Sequence, residues 1–113
     1  MRRAGKYRHR ITLQAFAVSR DPLGGDAKAW ADWHRDVPAE VVPLSGREFT
    51  AASAEHGQVT ARMEIPYLPG VLHTMRAIFD GQVYAIRAVL PDPTARSHIN
   101  LMVDAGVSDG YPG

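Results

Sequence analysis

Three stretches of this chain place an apolar residue at every second position: Ile11, Leu13 and Ala15; Val59, Ala61, Met63 and Ile65; Ile99, Leu101 and Val103. A period of two marks a strand with one face in a core and the other in water, so the architecture is constrained to be mainly β. The residues between them keep the pattern, with Arg10, Thr12 and Gln14 facing out in the first stretch and Thr60, Arg62 and Glu64 in the second. Met75 to Phe79 and Val83 to Leu90 flank Asp80-Gly81, a pair that tolerates positive φ and joins strands as a tight hairpin.

Punctuation divides the rest. The first strand, Arg8 to Val18, gives way to Ser19-Arg20-Asp21-Pro22-Leu23-Gly24-Gly25-Asp26, whose Pro and Gly pair predict a long loop. Ala27 to Leu44 is ambiguous: Trp30 and Trp33 stand three apart as on a helix, while Val37, Ala39 and Val41 share strand parity. The spacing predicts an irregular strand pair broken at Pro38, which has no N–H for a ladder. Ser45-Gly46-Arg47-Glu48 has the form of a capping box, the Ser hydroxyl accepting from the Glu48 amide. A helix of about three turns should follow and stop at His56-Gly57. The next strand stops at Pro66 to Gly70, and Pro91 to Thr94 turns the chain into Ser97 to Val103. These elements predict a small antiparallel β-barrel or sandwich with one short α-helix and a long loop. Residues 1–10 read as a basic arm, 11–104 as a single β-barrel domain and 105–113 as a loose tail.

The core must be thin, because Val, Leu, Ile and Phe number 10, 7, 5 and 3, only 25 of 113 residues. A small domain already leaves much of its surface exposed, which favours stabilisation by neighbouring copies. The absence of cysteine removes disulfides, thiolate metal sites and a Cys nucleophile, and fits folding in a reducing cytoplasm. The first ten residues lack the apolar segment of a secretory signal. No apolar run reaches bilayer-spanning length, so no membrane partner is expected.

Chemistry that a catalytic reading would need is missing from the pattern. His9, His34, His56, His73 and His98 are scattered without metal-ligand spacing. Asp32 and Asp36 flank His34 beside Arg35 and read as a solvated edge. Gly24-Gly25 is not followed by Lys-Ser/Thr, and no Gly-x-Ser-x-Gly elbow occurs. No enzyme, metal or cofactor is expected. Charge says more: Arg2, Arg3, Lys6, Arg8 and Arg10 put five cations into ten residues without an acid. Such an arm could bind phosphates, dock on an acidic protein surface, or simply solvate a terminus. Basic residues elsewhere are balanced by acids, and aromatics do not interleave with the arm, both of which weaken a nucleic-acid platform.

The opening Met1 to Gln14, then Arg20-Asp-Pro-Leu-Gly-Gly-Asp-Ala-Lys-Ala-Trp30, then Ala39 to Phe49, Tyr67 to Val71, Met75-Arg76 and Asp80 to Leu90 together resemble the phage head-tail joining family. Its members are also called head closure or stopper proteins, and gene transfer agents carry relatives. The resemblance covers roughly residues 2 to 103. Two departures stand out: Pro38 lies where relatives often carry an aromatic, and Ser108 to Gly113 has no counterpart.

The resemblance implies a small β-barrel that assembles in the host cytoplasm into a homo-oligomeric ring of six or twelve copies, as a component of the phage or phage-like particle. Its partners would be a portal-adaptor ring above, a tail terminator or tail tube below, and packaged DNA in the axial channel. It would retain DNA and present the surface to which the tail attaches. On this reading Arg2, Arg3, Lys6, Arg8 and Arg10 dock on the neighbouring ring. Asp21, Pro22, Leu23, Gly24, Gly25 and Asp26 form a loop in the channel, unless they are only a surface hairpin end. Ser45, Gly46, Arg47 and Glu48 cap the helix, with Gly46-Arg47 a candidate subunit contact. The alternative function is a small β-barrel nucleic-acid-binding module that uses the arm.

Overall fold

The computed structural model describes residues 6–20, 26–95 and 97–105. Six strands and one helix follow in order: β1 His9–Arg20, β2 Asp26–Pro43, α1 Gly46–His56, β3 Ala61–Pro66, β4 Arg76–Phe79, β5 Gln82–Pro91 and β6 His98–Asp104. They close into an antiparallel barrel in the order β1-β2-β3-β6-β5-β4, with β4 returning to β1. The alternation read from the sequence fills it. Ile11, Leu13, Val59, Ala61, Met63, Ile65, Ile99, Leu101 and Val103 are all buried, and Asp80 and Gly81 form the β4–β5 turn with φ of 53° and 77°.

Two expectations are corrected. The segment from Asp26 to Pro43 is one unbroken strand rather than a pair divided at Pro38. Pro38 stands opposite Arg10, and the pairing of β2 with β3 begins only at Glu40, so the missing N–H falls where the second side of the strand has no ladder. The irregularity lies earlier. Ile11 pairs with Val37, Leu13 with His34 and Gln14 with Asp32, so β2 carries extra residues here, and Asp36 takes φ 54°. This double slip explains the helix-like spacing of the tryptophans: Trp30 pairs with Phe16 in the regular ladder, whereas Trp33 is the extra residue of the second slip and packs against the core.

The long loop is also shorter than its composition suggests. Ser19 pairs with Ala27 and Arg20 with Asp26, so both flanks belong to strands and only residues 21–25 connect them. Ala15–Arg20 and Asp26–Ala31 lie beyond the strands that close the barrel, since β1 meets β4 only at Thr12 to Gln14. Six residue pairs at about 3.4 Å each extend this ribbon about 20 Å, in keeping with a molecule measuring 51 × 31 × 27 Å.

At the ribbon's base, Gly70 at φ 96° lies against Trp33: a Cβ there would sit 3.0 Å from Cζ2 and 3.3 Å from Cη2. Gly57, at φ 82°, has open space around the same position. Gly70→Ala should therefore cost more than the backbone strain of about 1–3 kcal/mol, and Gly57→Ala only that strain. Paired denaturant titrations check this, the difference between the two variants reporting the Trp33 contact; equal losses would mean that the ring moves aside freely.

Candidate functional site

Three surface features collect the residues singled out in the sequence. The first is the base of the amino-terminal arm. Lys6 Nζ lies 2.9 Å from Glu64 Oε2, and the Tyr7 hydroxyl donates to the same oxygen at 2.8 Å. Glu64 has the outward parity on β3 expected for it, yet it is buried, with its side chain 8% exposed. That corrects the solvent-facing reading, because Lys6 and Tyr7 cover it. Arg62 Nη1 is 3.7 Å from Glu64 and donates to Asn100 Oδ1 at 3.0 Å, while its Nη2 is 3.7 Å from Glu40. Arg10 donates to the Tyr7 and His9 carbonyls at 3.3 and 3.2 Å. Arg8 is exposed; Arg2 and Arg3 lie outside the described residues.

Burial alone would push the Glu64 carboxyl up. The hydrogen bonds from Lys6 and Tyr7, with the charges of Lys6 and His98, outweigh it and hold the carboxyl below its usual range near 4.5. A group whose folded pKa is depressed contributes stability above its unfolded pKa and loses it as the pH falls through the folded value. Wild type should thus exceed Glu64→Gln in stability at neutral pH, and the gap should close below about pH 4.5. Urea titrations across that range test it; a gap that persists in acid would assign the difference to packing.

The second feature is the ribbon. On its outward face Phe16 and Trp30 meet edge to face at 5.1 Å, and the Arg76 guanidinium lies 4.4 Å from the Trp30 ring centroid. Arg76 Nε donates to Gln14 Oε1 at 2.7 Å; Gln14 Nε2 and Arg35 Nε each donate to Asp32 at 2.7 Å. These bonds lower the Asp32 pKa, Gln14 most, then Arg35. Asp32 and Arg35 are exposed, as expected of a solvated edge, and here they brace the root of the ribbon. Asp21, Pro22, Leu23, Gly24 and Gly25 lie outside the described residues, and Asp26 opens β2.

The third feature is α1. It starts and stops where the sequence indicates, at Ser45 and Gly57, but the Ser45 side chain makes no capping hydrogen bond. The capping box is therefore not formed. Gly46 has φ 54°, outside the helical range, which moves the following amides out of the position a Ser hydroxyl at the N-cap requires. Instead Thr50 Oγ1 donates to the Gly46 carbonyl at 3.2 Å. No residue of the helix is buried, and Gly46, Arg47, Glu48 and Phe49 are all exposed. Ser45→Ala should accordingly cost less than about 0.5 kcal/mol rather than the ~1 kcal/mol of a lost cap. Thermal denaturation distinguishes the two values.

The family model of the phage head completion protein matches residues 2–106, nearly the whole chain and all three features. The chain belongs to the phage head completion protein family. Head completion protein gp7 of Enterobacteria phage HK97 is 41% identical over 59 residues, which are 52% of this chain and 52% of that protein. The match thus spans about half the length of this curated relative. Among solved structures, protein SF1141 from Shigella flexneri 2a is 29% identical with a TM-score of 0.79, over 96% of this chain and all of that one. A chain in the virion of a native gene transfer agent particle has the same fold, with a TM-score of 0.55 at 15% identity over 87% of this chain and 94% of that one. Head completion is a structural task in the virion, as the resemblance of the sequence to head-tail joining proteins implies.

Sequence reasoning missed Glu64, Gln14 and Arg76 as members of these features. Glu64 is 57 residues from Tyr7, and Arg76 is 62 from Gln14, so neither contact leaves a local trace.

Proposed function

We propose that this head completion protein forms a ring below the portal-adaptor, retains packaged DNA and provides the surface to which the tail attaches, without catalysis. The observation that carries the reading is the ribbon, which reaches about 20 Å beyond the closed barrel and brings the 21–25 connection to its end. In a ring, several copies of Asp21, Leu23 and Asp26 would converge on the axis. Leu23 would close a constriction and the acids would repel DNA phosphates. The arm docks on the acidic face of a neighbouring ring, starting from the anchor that Lys6 and Tyr7 make with Glu64. Exposed Arg47 contacts the adjacent subunit.

The nucleic-acid-binding rival has less support. It needs gathered, disengaged cations, whereas Lys6, Arg35, Arg62 and Arg87 each have a carboxylate partner within 4.0 Å. Complementation tests the proposal. DNA-filled heads made without this protein should lose their DNA and fail to join tails, and the purified protein should restore both functions with a ring visible by electron microscopy. Restored tail joining without a ring would sink it.

A further inference from the structure

No further backbone ladder runs along the two outer edges of the ribbon among the described residues. Among the described residues, Ala15–Arg20 pair only with Asp26–Ala31; β1 meets β4 only at Thr12, Leu13 and Gln14, and β2 meets β3 only from Glu40 to Pro43. A two-stranded ribbon is marginal in water, and proteins usually blunt exposed edges with proline, bulges or short strands. Here the bulge at Asp36 and the proline at 38 blunt only the part of β2 nearest the barrel. No proline interrupts Ala15 to Arg20 or Asp26 to Ala31, and the pairing there is regular.

The two edges also have opposite polarity, because β1 runs towards the tip and β2 runs back from it. When copies stand side by side with their ribbons pointing the same way, the β1 edge of one therefore meets the β2 edge of the next in antiparallel sense. We propose that these edges hydrogen-bond to each other between copies, so that each ribbon contributes two strands to one continuous cylinder. The occupant of each edge is thus a second copy of this chain. A repeated head-to-tail contact closes into a ring, and a closed sheet leaves no edge unpaired. Pairing β1 with β1 would stop at a dimer and leave every β2 edge open. The thin core points the same way, since Val, Leu, Ile and Phe number only 25 of 113 residues and leave a projecting element little of its own to pack on. This inference rests on the ring reading and adds which strands hold the ring together.

Hydrogen exchange on the full-length protein, as monomer and as ring, tests it directly. Ring formation should slow amide exchange about tenfold or more within 15–20 and 26–31, with little change in β3 and β6. Because the chain has no cysteine, cross-linking can then identify the edges. Ala15→Cys or Ala17→Cys protein, mixed with Ala29→Cys or Ala31→Cys protein and oxidised, should give covalent heterodimers. Any one variant alone should not, as two β1 strands would be a full ribbon apart. Rings without protection and without heterodimers would overturn the edge pairing while leaving the ring reading intact. Failure to form rings, even on DNA-filled heads, would overturn both. Protection that arises only on heads, with no cross-link between copies, would give the edge to a different chain and overturn the proposal.

Discussion

Leu101→Ala should lower the unfolding free energy by about 2–5 kcal/mol, the range for a fully buried leucine. Leu101 is 0% exposed and stands on β6 between Met63 of β3 and Val89 of β5, so its side chain ties three neighbouring strands on the inner face. A domain of this size has only about 5–15 kcal/mol in total, and a core this small offers few side chains to collapse into the space. The variant should therefore lose a large part of its stability margin. Urea unfolding followed by the fluorescence of Trp30 and Trp33 measures the loss. Phe49→Ala, on a helix without buried residues, is the control and should stay within about 0.5 kcal/mol of wild type. A loss below 1 kcal/mol at Leu101 would mean that the barrel interior is loosely filled.

Replacing Leu23-Gly24-Gly25 by Ser-Ala-Ala should release DNA from tailless heads while rings still assemble. The change removes the single large apolar side chain from the 21–25 connection and the freedom of two glycines to adopt positive φ. The paired part of the ribbon, ending at Arg20 and Asp26, is untouched, so assembly through the barrel and ribbon should persist. Nuclease sensitivity of the packaged DNA gives the readout, with ring formation by electron microscopy as the control. Normal rings that still hold their DNA would move the constriction elsewhere.

What could be read from the sequence was whatever a few neighbouring residues decide. Val59 to Ile65 announces an inward face because four apolar residues keep a strict period, and all four are buried. Asp80-Gly81 announces its turn through positive φ at both positions. The ends of α1 were readable for the same reason, Gly57 taking φ 82° at the stop. The unreadable parts are those settled by distant residues or by an unusual backbone choice. Asp36 adopts φ 54° without being glycine, so no letter in the chain marks the bulge that carries β2 past Pro38. Ser45 has the right identity for a cap, but the φ of the next residue removes the geometry. The positive charge of Lys6 was evident, whereas its partner Glu64 becomes a partner only once β3 is in place. The ribbon was hidden because Pro22, Gly24 and Gly25 mark its end and conceal how far pairing continues on either side.

The unequal lengths of the ladders carry a mechanical consequence. β1 is joined to β2 by eleven residue pairs but to β4 by three, and β2 is joined to β3 by four. A load applied at the far end of the ribbon and directed along it runs parallel to the strands. It therefore strains the β1–β2 bonds together in shear instead of opening them one after another. The same load reaches the barrel through the three-pair seam between Thr12–Gln14 and Arg76–Ile78 and the four-pair seam at Glu40–Pro43. Under an axial load of that kind the ribbon would act as a stiff strut, and the yielding line would be the β1–β4 seam, far from the point where the force arrives.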